Sequence, residues 1–158
     1  MISDTAMVEI HSYSSPYNTI EVAKGILDSN GVGQFYFLNV NTTDEYYFVV
    51  RHRNHIETWS HASPEQLDSC EKQYSFDSIS KAFGNNLIFL NGKYLIFAGD
   101  VNQDGTVDLT DGSLVDNDAF NFASGYLTTD LNGDGIVDVS DAVFVDNNSF
   151  NFVGKITP

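Results

Sequence analysis

Two stretches of this sequence are copies of one another. DVNQDGTVDLTD (Asp100 to Asp111) returns as DLNGDGIVDVSD (Asp130 to Asp141), and VDNDAFNF (Val115 to Phe122) returns as VDNNSFNF (Val145 to Phe152), each at an offset of 30 residues. A tandem duplication is one supersecondary unit used twice, and a single copy cannot bury its apolar side alone. The chain from residue 99 to 158 is therefore expected to fold as a pair, separate from residues 1–98.

Charge divides the chain at the same place. Residues 1–99 carry 11 acidic and 6 basic side chains, whereas residues 100–158 carry 11 aspartates, no glutamate and the single Lys155. A solvated acidic face normally mixes both acids. Aspartate alone marks tight loops, where a short carboxylate must turn back on its own backbone. The overall net charge of −15 argues against nucleic acid and anionic membranes, which need basic patches. No apolar run approaches the ~20 residues of a membrane helix. A hydrophobic content of 42% is enough for a core and excludes a wholly disordered chain.

Within each copy the pattern D-x-N-x-D-G is the opening of an EF-hand-type calcium loop. Position 1 is Asp100 or Asp130, position 3 Asn102 or Asn132, and position 5 Asp104 or Asp134. Position 7, Thr106 or Ile136, offers its backbone carbonyl; position 9, Asp108 or Asp138, acts through water; position 12 is Asp111 or Asp141. Glycines at position 6, Gly105 and Gly135, permit the sharp turn. Calcium takes 6–8 oxygens at about 2.3–2.6 Å, and a twelve-residue loop can wrap that many around one point. Two Ca2+ ions are the expected cofactors. Val107 and Val137, at position 8, are expected to pack between the copies.

The first part reads as β structure. Apolar and β-branched runs at Met7 to Ser12, Thr19 to Leu27, Gly33 to Val40, Glu45 to Arg53 and Asn86 to Ala98 are separated by turn signals. Asn91-Gly92 predicts a two-residue hairpin turn. The polar stretch between is expected to hold a short helix around Pro64 to Cys70 and a strand at Tyr74 to Ile79. Short strands at this spacing predict an antiparallel β-sandwich, so the whole chain is mainly β with a small α part. Cys70 is the one cysteine, which excludes an internal disulfide and leaves a free thiol or an intermolecular pair.

RHRNHIETWSH (Arg51 to His61) holds both arginines and three of the four histidines. Read as one strand, it puts Arg51 and Arg53 on one face, a candidate cationic surface for an acidic partner such as another copy's repeat. The same reading puts His52 and His55 on opposite faces, which argues against zinc. Phe120, Phe122, Phe150 and Phe152 recur with the loops. Core packing is the first expectation for them and for Trp59, with an exposed anchor for a partner as the alternative. No nucleophile elbow, Walker loop, HExxH or CxxC is present, so no enzyme is expected.

The paired loops, each followed by a helix and introduced by AGDVNQDG and TDLNGDG, resemble type I dockerins. These are calcium-stabilised duplicated modules of secreted proteins that dock onto cohesin domains. VEIHS, GQFYFLNV, YYFVVRHRNHIETWS and the closing VGKITP extend the resemblance. The chain looks like the C-terminal region of large secreted proteins of the Bacteroidetes/Ignavibacteria type, where a transthyretin-like (Cna-B-like) sandwich precedes a dockerin-like repeat. The resemblance implies an extracellular or cell-surface location; the opening residues carry no secretory signal, so the chain is expected to be a mature form or a fragment, with a cytosolic chain as the alternative. The resemblance also implies a protein partner. In dockerins loop positions 10 and 11 read the partner; here these are Leu109 and Thr110, then Val139 and Ser140. The hydroxyls of Thr110 and Ser140 match, while the helices that follow carry no lysine or arginine. The first expectation is therefore non-covalent attachment or head-to-tail filament assembly of copies, with cohesin docking as the alternative.

Overall fold

The computed structural model describes residues 4–67 and 71–158. These form mainly antiparallel β structure with two α-helices. The described residues fall into two compact units. One is His52–Ile56 with Phe97–Lys155; the other is Asp4–Arg51, Glu57–Ile96 and Ile156–Pro158.

The β-rich unit is organised by strands β1 (Asp4–Ser12), β2 (Thr19–Leu27), β3 (Glu45–His52) and β4 (His55–Trp59), hydrogen-bonded in the order β2-β1-β3-β4. The short β5 (Glu65–Gln66) pairs antiparallel with β3. β3 is apolar at consecutive positions because both its faces are covered. Tyr46 and Phe48 pack with Ile10 in one cluster, and Tyr47 and Val49 pack with Trp59 in another. β2 is an edge strand, with Ile20, Val22 and Ile26 exposed. A separate hairpin joins β6 (Ile88–Leu90) to β7 (Lys93–Leu95). Its turn residues Asn91 and Gly92 have φ of 51° and 79°, the left-handed values that an Asn-Gly turn supplies at little cost.

Several local expectations are corrected. Gly33 to Val40 is not a strand: Leu38 and Asn39 donate their amides to the Glu21 carboxylate at 2.9 and 2.8 Å, where a strand would use them in a ladder. Tyr74 to Ile79 is not a strand, being irregular up to Ser78 with Ile79 opening a 3-10 turn, and Glu65–Gln66 is a strand in place of the expected helix. The remainder of that expected helix, through Cys70, lies outside the described residues. Arg51 to His61 is not one strand. The chain reverses at Arg53 and Asn54, so His52 and His55 face each other, with ring centroids 4.6 Å apart. Arg51 and Arg53 consequently share no strand face.

The repeat unit holds α1 (Leu109–Phe120) and α2 (Val139–Phe150), one after each loop. Both begin with a capping box: the side chain of Asp108 or Asp138 accepts a first-turn amide, and Asp111 or Asp141 reaches back to the cap's own amide. The helices bury Val115 and Val145 in one core with Val107, Val137, Val101, Leu131 and Ile56. Each fully buried valine contributes roughly 1.5–3 kcal/mol. Trp59 is buried in the β-rich unit, as expected. The four repeated phenylalanines are not core. Phe120, Phe122, Phe150 and Phe152 are 83, 89, 83 and 92% exposed.

Candidate metal centre

Each loop is shaped by its own ligand candidates. In the first, Asp104 N–H donates to Asp100 Oδ1 at 3.1 Å and Gly105 N–H to Asp100 Oδ2 at 3.1 Å. Asn102 Oδ1 accepts from Asp104 N–H at 2.8 Å, and Asp104 Oδ1 accepts from the amide and hydroxyl of Thr106 at 2.9 and 2.8 Å. Asp111 closes the loop from the helix. Its Oδ1 accepts from Val101 and Asn102 at 2.9 and 3.2 Å and its Oδ2 from Asp108 at 3.0 Å.

The second loop repeats the scheme. Asp130 accepts from Gly133 and Gly135 at 2.9 and 3.1 Å, Asn132 from Asp134 at 2.8 Å and Asp134 from Ile136 at 2.9 Å. Asp141 accepts from Leu131, Asn132 and Asp138 at 2.8, 3.0 and 3.0 Å. Asp108 and Asp138 spend an oxygen on capping their helices, at 2.7 Å to the Thr110 and Ser140 amides.

The electrostatics divide by position. The carboxylates at positions 1 and 12 are buried: Asp100, Asp111, Asp130 and Asp141 are each no more than 3% exposed. Those at positions 5 and 9 are exposed. Burial, reinforced by the charges of Asp111 and Asp104, pushes the Asp100 carboxyl up to about 6. Hydrogen bonds from the Thr106 hydroxyl hold Asp104 below its ordinary value, and those from Ser140 do the same for Asp138. Crowded, buried carboxylates with carboxylate and amide oxygens at the rim are a hard-oxygen donor set, which fits calcium rather than a softer ion. The residues that would hold it are Asp100, Asn102, Asp104, Thr106 and Asp111 in one loop and Asp130, Asn132, Asp134, Ile136 and Asp141 in the other. Asp108 and Asp138 would act through water.

The loops do not pair with one another. Val107 N–H donates to Val153 O and Lys155 N–H to Gly105 O, both at 2.8 Å, so the first loop pairs with the segment after α2. Val137 N–H donates to Ala123 O at 3.0 Å and Gly125 N–H to Gly135 O at 2.9 Å, so the second pairs with the segment after α1. The helices hold the entry to each loop in the same crossed fashion. Asp118 accepts from the Thr129 hydroxyl at 2.6 Å, and Asn148 donates to Ala98 O at 2.6 Å.

The helix ends are also duplicated. After α1, Phe122 N–H donates to Ala119 O and Ala123 N–H to Asp118 O; after α2, Phe152 and Val153 donate to Ser149 and Asn148. This is the Schellman ending, whose left-handed residue is usually glycine. Here it is Phe122 and Phe152, each with φ of 53°. A bulky residue in that conformation costs on the order of 1 kcal/mol. Core packing, the first expectation for these phenylalanines, is overturned in favour of the exposed alternative, and a phenylalanine two residues past each helix, where glycine is usual, is the sequence signal for it.

The remaining candidates lie as follows. Thr110 and Ser140 are exposed, beside exposed Leu109 and Val139. Arg51 is held by Glu9 at 2.7 Å and Glu57 at 2.6 Å within the β-rich unit. Arg53 belongs to the repeat unit and lies 4.5 Å over the Tyr126 ring. No helix of the described residues is long and apolar enough to cross a membrane. No family model, curated protein or solved structure matches the chain.

Proposed function

We propose that this chain is a calcium-stabilised attachment module, structural rather than catalytic, of an extracellular or cell-surface protein. The observation that carries it is the duplicated placement of two buried carboxylates, positions 1 and 12, in each of two loops that end in a capped helix. Without a cation those charges repel one another. Two bound Ca2+ ions offset the repulsion and make folding of the repeat depend on the metal. On this reading residues 99–158 are a dockerin-like pair and residues 1–98 a β-sandwich of transthyretin or Cna-B type. The covering of both faces of β3 supports the latter.

Attachment runs through the repeat. Four exposed phenylalanines, two of them in strained backbone, are the features most suited to anchoring a partner. The strain is present twice at equivalent positions, which supports a use for the side chains it holds outward. The partner is another protein, either a copy of this chain in head-to-tail order or a cohesin-like domain. Membrane insertion and nucleic acid are not part of the reading. A head-to-tail contact built on Arg51 loses support, because that side chain already answers Glu9 and Glu57. The exposed pair Thr110 and Ser140 favours the cohesin-like alternative.

Light scattering coupled to size exclusion tests this, in millimolar calcium and after chelation, on the native chain and on Phe120→Ser/Phe150→Ser. Large species in calcium that disperse on chelation and in the variant mean self-assembly through the phenylalanines. A monomer throughout directs the search to a cohesin-like partner, tested by pull-down with Thr110 and Ser140 variants. Failure of both overturns the attachment reading.

A further inference from the structure

The turn between β3 and β4 places three lone-pair atoms in a triangle. His52 Nδ1 lies 2.8 Å from His55 Nδ1 and 3.0 Å from Asn54 Oδ1, and His55 Nδ1 lies 2.8 Å from that same oxygen. Asn54 is 1% exposed, and the two histidines are half-buried. The orientation of the Asn54 amide is fixed independently, because its Nδ2 donates to Asp130 O at 3.0 Å. Its oxygen must therefore face the imidazoles. The turn itself is held by Gly99 N–H donating to Asn54 O at 2.8 Å and by Ile56 N–H donating to Phe97 O at 2.9 Å.

Protons alone do not satisfy this triangle. Asn54 Oδ1 only accepts, and each Nδ1 carries at most one hydrogen. If one Nδ1–H points at the other nitrogen, the accepting nitrogen turns a lone pair toward Asn54 Oδ1 with no hydrogen between them. If both Nδ1–H groups point at the oxygen, the nitrogens sit 2.8 Å apart as two donors. Within the triangle, one side is repulsive in each of these arrangements. A divalent cation in front of the three atoms uses all three lone pairs at once. Sides of 2.8–3.0 Å are those of one face of an octahedron with metal–ligand bonds of about 2.0–2.1 Å, the usual length for imidazole nitrogen on zinc.

We propose that His52, His55 and Asn54 form one face of an octahedral site for a divalent first-row ion of the cobalt–nickel–zinc series, with water in the remaining positions. Imidazole donors select this class and not calcium. The site is separate from the aspartate loops, yet Asn54 is hydrogen-bonded to Asp130 at the start of one loop and to Gly99 just before the other. An ion here fixes the turn from which both contacts are made.

The test is a calorimetric titration of the full chain with Zn2+ in excess calcium, which keeps zinc off the carboxylate loops. One equivalent is expected to bind, and His52→Ala and His55→Ala each weaken it more than about tenfold. An unchanged calcium titration shows that each variant is folded. Nitrogen NMR of the unsubstituted, labelled chain gives a second reading that needs no variant. Zinc is expected to move two Nδ1 resonances and to leave those of His11 and His61 in place. Absence of zinc binding, equal binding by the variants, or shifts confined to Nε2 overturns the proposal.

Discussion

The two aspartate loops share every ligand position and depend on different parts of the chain. The first is closed by Val153 and Lys155, close to the C-terminal end, while the second is closed by Ala123 and Gly125, between the two helices. They differ also at position 4, where Gln103 and Gly133 take φ of 60° and 75°. The glycine takes that conformation freely. The glutamine is strained, but its side chain donates to His55 O at 3.3 Å and to Asp100 O at 2.5 Å. Duplication has thus preserved what the cation would touch and let the supports diverge. Chemistry constrains the ligands, while any local contact of sufficient strength can hold the loop around them.

The largest effect is expected from position 12, where the loops are alike. Asp111→Ala and Asp141→Ala each remove a fully buried carboxylate that accepts three backbone amides. Each should lower calcium stoichiometry from two to one by calorimetry. In calcium each should cost about 3–5 kcal/mol of stability, the scale of a lost buried charge with its hydrogen bonds. Equal losses keep the loops equivalent; a loss confined to one variant breaks the equivalence.

Removal of residues 153–158 separates the loops. The first loses its pairing partner and the buried Val153, on the order of 2–3 kcal/mol, while the second keeps its own. Hydrogen exchange should show amides 101–108 opened and amides 131–138 still protected in calcium.

A smaller effect follows from Asp100, whose folded carboxyl is pushed up to about 6. The metal-free folded protein then binds a proton more tightly than the unfolded chain does. The resulting stability is fully present below the ordinary aspartate value near 4 and is lost as pH rises through about 6. Asp100→Asn should remove this decline, worth on the order of 2 kcal/mol, in chelator. It should also abolish binding to the first loop in calcium. A metal-free stability profile unchanged by the substitution would contradict the crowding argument. Gln103→Gly should be smallest, within about 1 kcal/mol by thermal unfolding, because relief of strain and loss of two hydrogen bonds oppose one another.

The closing of each twelve-residue loop by its last aspartate was legible because that spacing leaves little choice of which groups meet, and two copies in register exclude coincidence. The hairpin at Asn91-Gly92 was legible because its residues favour the φ they adopt. The reversal at Arg53 and Asn54 carries no such signature, so one strand was read where two form, and the meeting of His52 with His55 was hidden. Gly33 to Val40 has the composition of a strand, but the carboxylate that takes its amides, Glu21, sits on a distant part of the chain. The exposed phenylalanines were misread because apolar residues next to a helix end normally turn inward. Only the Schellman geometry shows that Phe122 and Phe152 stand where glycine usually does.

The central claim is that the duplicated loops are a pair of calcium sites on which the fold of the repeat depends. Calorimetric titration of the metal-free full chain with calcium, followed by thermal unfolding at saturation, tests it most directly. Two equivalents bound with a clear rise in the unfolding temperature are predicted. No binding, or binding without stabilisation, would contradict it.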